Sequence, residues 1–267
     1  MDKRIIGSIL IIFIGLSLVF MGYLEAAVGD GKVVYGNTTA PTNEPKTRDY
    51  TVSSGNWGAS SNLSAANTTI NRVIVKANPQ IDEYVAGVVT TTGPTLYVYT
   101  YSGGSWSQSW STSVPSSVYN VFDIEFEQNS GDCLVVYSNG RTTNELSYRK
   151  RVDGVWDSSS TNLESNRTTG VVRFIELEPR PNSDEIALVF SDANSDLSAF
   201  IWDGSSWGSE PAAALSTSLD LGTVRSFDVA YEQVSGDVLV AYSLPNGTGG
   251  CGLAVKLAGE TTWTNSG

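Results

Sequence analysis

Histidine is missing from all 267 residues of this chain. That absence excludes a Ser-His-Asp triad and any His-based zinc site. Cysteine is almost missing too, with only Cys133 and Cys251 present. Cys133 stands inside an apolar run and reads as a small buried hydrophobe. Basic residues are few: 16 Lys and Arg stand against 28 Asp and Glu, a net charge of −12. A nucleic-acid partner is therefore excluded, because binding it needs a basic surface. The acidic residues form no single run and read as a solvated surface. No glycine-rich loop opens a helix that could cradle phosphate. Outside the first 27 residues no window carries a helical period.

The N-terminus is the exception. Met1-Asp2-Lys3-Arg4 leads into Ile5 to Leu24, an apolar stretch interrupted only by Gly and Ser. As a helix, such a stretch spans about 30 Å, the hydrocarbon thickness of a bilayer. Lys3 and Arg4 would stay in the cytoplasm. Ala27-Val28-Gly29 also offers a small-x-small cleavage site. Residues 1–28 are thus expected to be a signal peptide or an uncleaved anchor through residues 5–24, and either exports the rest. No cysteine follows the apolar run, so a lipoprotein is excluded. Five Asn-x-Ser/Thr sequons, at Asn37, Asn62, Asn67, Asn166 and Asn246, agree with export.

What remains is periodic. Trp57, Trp106, Trp156, Trp207 and Trp263 recur at intervals near fifty residues, each after a glycine turn. Ten residues before the last four stand Leu96, Leu146, Leu197 and Leu253, with Thr47 in that place in the first repeat. A second marker runs in phase: Gly29-Asp30, Gly131-Asp132 and Gly236-Asp237 each precede a tyrosine, and Asp184-Glu185 precedes Phe190. A fixed period of this length means one structural unit copied along the chain. The two cysteines fall in non-adjacent units, so no intramolecular disulfide is expected.

The unit from Val121 to Trp156 shows what is copied. Phe122 to Glu127 alternates apolar and acidic, the period of a strand. Asn129-Ser130-Gly131-Asp132 is a turn. Cys133 to Tyr137 is a continuous apolar run, as in a strand covered on both faces. Leu146 to Val152 is a third strand, Asp153-Gly154 a tight hairpin, and Val155-Trp156 a fourth strand. Four-stranded antiparallel units that bury both faces fit blades stacked around an axis. A two-sheet sandwich would not require five copies in phase.

The chain resembles the β-propeller superfamily, in the manner of extracellular sialidase-like, kelch-like and WD-type repeats. The sialidase Asp box is absent, and Gly259 to Trp263 echoes only its tail. The kelch double glycine and the Trp-Asp signature are absent as well. The expected fold is an all-β propeller of about five blades, near 29–70, 71–120, 121–171, 172–224 and 225–267, preceded by the apolar helix. The first unit begins at its second strand and lacks the innermost one. This leaves either a five-bladed ring short of one strand or a piece of a longer chain, and the second is the expectation.

Candidate chemistry is sparse. Turns between strands one and two and between three and four are short and uniform. Loops at the opposite rim vary in length and are where ligand contacts are expected. Trp110, Arg141 and Asn144 are the candidate ligand contacts, with Trp110 read as an exposed aromatic in an inter-blade loop. Asp192, Asn194 and Asp196 have the alternating oxygens of a calcium loop, without its glycine or its terminal glutamate. Asp123, Glu176 and Asp228 share one position in three first strands, where a carboxylate ring could bind a cation or act as acid and base. Arg173 and Arg225 are their plausible partners. With Arg72 they resemble a sialidase arginine cluster, but no tyrosine–glutamate pair accompanies it. The in-phase tryptophans are expected in blade packing. The leading expectation is an exported, non-catalytic binding propeller whose protein or carbohydrate ligand meets the variable rim, with calcium as the one possible cofactor. The alternatives are a carbohydrate-active enzyme using Asp123, Glu176 or Asp228, and a structural surface-layer or adhesin repeat.

Overall fold

A computed structural model describes residues 30–36, 44–63, 66, 68–220, 222–245 and 250–265. The apolar segment 5–24 lies outside them, and with it the expected anchor or signal. Among the described residues no helix is long and apolar enough to cross a membrane, and every regular element is a strand. The strands form five antiparallel sheets in chain order. Each sheet packs on the next through its inner strands, so the chain is a β-propeller.

The third sheet carries the pattern of the repeat. Phe122–Phe126, Cys133–Ser138, Leu146–Val152 and Val155–Trp156 lie side by side in that order. Thr161–Leu163 also pairs with Leu146–Val152 and so shares the edge position with Val155–Trp156. Asp153 and Gly154 both have positive φ, 48° and 82°, as a two-residue hairpin turn requires.

The Gly-Asp marker has a structural cause. Asp132 Oδ1 accepts the backbone N–H of Asp153 at 3.1 Å, tying the start of the second strand to the outer hairpin turn. Asp237 does the same for Ala258 at 2.8 Å, and Asp30 for Val52 at 2.7 Å. This equivalence places Gly31–Gly36 in the second-strand position, so the first sheet lacks an innermost strand among the described residues.

The tryptophans share one ladder position. Trp57 pairs with Tyr50, Trp106 with Tyr101, Trp156 with Arg151, Trp207 with Trp202 and Trp263 with Lys256. They are half-buried rather than core residues, because the edge strand turns one side of each ring to solvent. Trp57 is 47% exposed, since no earlier sheet lies against it among the described residues. The leucine marker holds only in the middle. Leu96, Leu146 and Leu197 are equivalent, but Cys251 and Pro45 take that place in the fifth and first sheets. The outer turn there is two residues longer, so counting ten back from tryptophan lands on Leu253 and Thr47.

The core is four apolar clusters, one in each seam between successive sheets. Polar bonds cross the seams as well. Trp202 Nε1 donates to Glu127 Oε1 at 2.6 Å, and Tyr231 Oη to Glu185 Oε1 at 2.9 Å. Arg151 pairs with Glu83, both almost wholly buried. Along the rim of short turns, Gln128 N donates to Ser183 O and Asn129 N to Asp184 Oδ1, each at 3.0 Å.

Candidate functional site

Register confirms that Asp123, Glu176 and Asp228 are equivalent, opposite Val136, Val189 and Ala241. Their surroundings differ. Asp123 is buried; its Oδ2 accepts the N–H of Leu177 in the next sheet and its Oδ1 that of Ile124, each at 2.8 Å. Burial pushes its pKa up to about 6, against the lowering effect of those N–H groups and of Lys76. Glu176 is held by Arg225, which also reaches Asp228 Oδ1 at 3.0 Å. Lys76 pairs with Glu125. The three arginines have different neighbours: Arg225 pairs with Glu176 and Asp228, Arg173 lies 4.8 Å from the centre of the Tyr119 ring, and Arg72 feels the charge of Asp123. Asp123 and Glu176 are thus spent on bonds between sheets, whereas Asp228 pairs only with Arg225 of its own sheet and stays exposed.

The Asp192 loop is a backbone cap. Asp192 is fully buried; its Oδ1 accepts the N–H of Asn194 and Asp196, at 2.8 and 3.0 Å. Its Oδ2 accepts Thr169 and Gly170, at 3.0 and 2.5 Å. Asn194 and Asp196 both bond to Thr169 Oγ1. Four N–H donors already fill one carboxylate, and no group of three or more His, Cys, Asp or Glu among the described residues is placed to hold a metal. We therefore expect the same melting temperature in calcium and in chelator. Asp192→Asn, which leaves two donors short of an acceptor, should cost about 1–3 kcal/mol in either buffer. A calcium-dependent rise in melting temperature, lost in that variant, would restore the cation.

Trp110 is not an exposed loop aromatic. It lies in the strand Ser105–Ser113, 7% exposed, in the seam between the second and third sheets. The Trp156 ring stands edge-on to it at 5.7 Å, and the Arg149 guanidinium lies 4.7 Å from its centre. Bulky aromatics on an edge strand are drawn under the neighbouring sheet by the apolar area they bury. Arg141 is exposed at its loop. Asn144 has φ 49° and its carbonyl accepts Asn139 Nδ2 at 2.5 Å, a turn-forming role. No hydrogen bond or ring contact joins these three residues.

A different place gathers unused polar groups. A cleft of about 250 Å³ opens at the outer end of the seam between the first and second sheets. Tyr101 and Trp106 form one wall, their ring centres 5.6 Å apart. Thr47, Asp49, Ser61 and Asn62 form the other. Lys32 Nζ sits 2.9 Å from Asp49 Oδ1 and 3.7 Å from the centre of the Tyr101 ring. Burial alone would lower the Lys32 pKa, but Asp49 and Tyr101 outweigh it and hold the ammonium above its ordinary range. Two atoms of this cleft's lining residues are buried without a hydrogen-bond partner: Thr47 Oγ1 and Trp106 Nε1. At the equivalent position Trp156 Nε1 donates to Thr100 Oγ1 at 3.1 Å and Trp263 Nε1 to Ser209 O at 2.7 Å, whereas Trp207 Nε1 is buried without a partner, as Trp106 Nε1 is. What distinguishes Thr47 Oγ1 and Trp106 Nε1 from unpartnered atoms elsewhere, such as Trp207 Nε1 and Ser198 Oγ, is that both belong to residues lining one cleft. Sequence reasoning missed this cleft; its only signal was Trp106 itself.

No protein-family model matches the chain, and no curated protein does. Among solved structures it is similar to the fucose-specific lectin from Aleuria aurantia, at 12% identity and a TM-score of 0.49, covering 89% of this chain and 77% of that one. It is similar to the intramolecular trans-sialidase from Ruminococcus gnavus, at 8% identity and a TM-score of 0.47, covering 89% and 80%. It is also similar to the WD40 domain of SCAP from fission yeast, at 11% identity and a TM-score of 0.45, covering 79% and 47%.

Proposed function

We propose that this chain is an exported, non-catalytic binding propeller that takes a neutral saccharide in the cleft between its first and second sheets. The observation that carries this reading is the pair of orphaned atoms, Thr47 Oγ1 and Trp106 Nε1, beside an aromatic wall. A sugar ring offers an apolar C–H face to Trp106 and Tyr101 and hydroxyls to Asp49, Asn62 and the orphans. The cleft is smaller than the ~300–1,000 Å³ of drug-sized sites, which suits one or two sugar units. Asp49 is paired with the Lys32 ammonium, so the cleft carries no net charge and suits a neutral sugar. The absence of chemistry is supported by the axial acids, each bound by a backbone donor or an arginine. Export is supported by the sequence alone, through residues 5–24 and the sequons.

The test is a panel of neutral and acidic glycans probed with the full chain, followed by calorimetry on what is retained. A neutral saccharide should be held intact, with Trp106→Ala weakening it at least tenfold. Retention of no glycan would end this reading, and release of a cleaved sugar would favour the enzyme with Asp123 as its acid. Thr47→Val separates ligand from fold. It removes a hydroxyl that bonds to nothing, so stability should stay unchanged or rise by up to about 1 kcal/mol, while affinity falls.

A further inference from the structure

Where the acid before a second strand is an aspartate, it caps the outer hairpin of its own sheet, as Asp132 and Asp237 do. In the second sheet that place is held by Glu83, whose longer side chain crosses the seam to Arg151 of the third sheet instead. The pair occupies only Nη1 of the guanidinium. Arg151 is 8% exposed, its side chain makes no other hydrogen bond among the described residues, and its Nε is buried without a partner. A buried ion pair repays its desolvation only when the remaining donors are bonded as well. Arg151 lines a second cleft, of about 150 Å³, at the short-turn rim of the seam between the second and third sheets. We propose that this cleft is a ligand site separate from the saccharide cleft, and that it takes the carboxylate and the ammonium of a free α-amino acid.

The cleft is held open by bonds between turns. Asn78 Nδ2 donates to Gly131 O at 2.9 Å and Gln80 Nε2 to Gln128 O at 2.6 Å, which ties the turn of the second sheet to that of the third. The approach needs glycine, because a Cβ at Gly131 would stand 2.7 Å from Asn78 Oδ1. On the far side Asp132 fixes the Asp153-Gly154 hairpin. A Cβ at Gly154 would already touch Arg151 Nη2, at 3.6 Å, so the missing side chain leaves the Nε–Nη2 edge uncovered. That planar edge matches the two oxygens of a carboxylate. A carboxylate alone would meet opposing charge. Asp132 and Asp153 line the same cleft, and neither has a cationic partner among the described residues. An ammonium on the carbon next to the carboxylate answers both needs, which phosphate or a simple acid does not. Ile81, 60% exposed, adds an apolar flank for a side chain. The volume lies well below the ~300–1,000 Å³ of drug-sized sites and suits one small molecule. Tyr50, Tyr101, Trp202 and Lys256 hold the place of Arg151 in the other sheets, so the guanidinium is peculiar to the third.

The test uses the full chain in detergent with isotope-labelled arginine, because the Nε–H of Arg151 gives its own magnetic resonance, identified by its loss in Arg151→Lys. A panel of the common α-amino acids, titrated to about 50 mM, should contain at least one that moves this resonance saturably, since so small a ligand binds in the millimolar range. Acetate and methylammonium, each offering half of the ligand, should bind at least about tenfold more weakly. The Asp153 side chain is exposed and makes no hydrogen bond among the described residues, and asparagine tolerates its φ of 48°. Asp153→Asn should therefore melt as the parent does, bind the amino acid at least about threefold more weakly and bind acetate no worse. Trp106→Ala should leave the amino acid in place, so this site and the saccharide cleft stand or fall separately. Saturation by no amino acid overturns the proposal. So does acetate binding as tightly as the amino acid, an Asp153→Asn protein that binds the amino acid as the parent does, or loss of the amino acid in Trp106→Ala.

Discussion

Trp202→Ala is expected to destabilise the fold by about 3–5 kcal/mol, the cost of emptying a buried tryptophan site. Trp202 is fully buried in the seam between the third and fourth sheets. Its ring meets Tyr148 at 6.1 Å and Trp207 at 5.3 Å, and the Lys150 ammonium lies 5.4 Å from its centre. Its indole N–H is also bonded across the seam to Glu127, so truncation removes a donor from a carboxylate already held up in pKa by burial. Trp57→Ala provides the contrast. The ring sits at the equivalent of Trp207 on the first sheet but meets no apolar seam among the described residues, so its loss should cost at most about 1 kcal/mol. Urea titrations of both variants check the pair. Equal losses would mean that burial in a seam does not set the cost.

Acidity is the second large lever, and its sign is opposite to that of ordinary carboxylate pairing. Asp123 has a folded pKa of about 6 against an ordinary 3.8. The folded state therefore holds this proton more tightly than the unfolded chain. The stability so gained is fully present below about pH 4 and is lost as pH rises through about 6. At about 1.4 kcal/mol per unit, the loss is roughly 3 kcal/mol. Burial raises Glu125, Glu127, Glu145 and Glu178 as well, which adds to the same trend. Asp203, Glu232 and Asp237 are lowered by hydrogen-bond donors, so their contribution is present above their ordinary values and lost as pH falls through the folded ones. Stability should thus peak near pH 4–5 and decline toward pH 8. Asp123→Asn should flatten the decline. Melting curves from pH 4 to pH 8 decide it, and a protein more stable at pH 8 than at pH 5 would refute the assignment.

How far the sequence could be read follows from what a period records. A repeat preserves ladder positions, and so the equivalence of Asp123, Glu176 and Asp228, the edge position of the tryptophans and the missing inner strand were all legible. Burial depends on what lies across a seam, which no period records. Hence Trp57 and Trp207 share a register and differ in exposure, and Trp110 was placed in a loop when it lies in a strand under Trp156. Asp192 to Asp196 shows a different failure, because spacing oxygens for a cation also spaces them for backbone N–H groups. The cleft was illegible because Thr47 and Trp106 come from different sheets, and only docking brings them to one place.

The short turns that bond to one another along one rim give the molecule a grain. Among the described residues these bonds, like the apolar seams, join a sheet to its immediate neighbours. Among the described residues the fold is therefore a row of five links with four couplings rather than one indivisible body. The middle links are clamped from two sides and the terminal ones from a single side. Lengthening such a row adds one coupling and disturbs none of the others, which is why a chain built this way tolerates gaining a unit at either extremity far better than losing one from its centre.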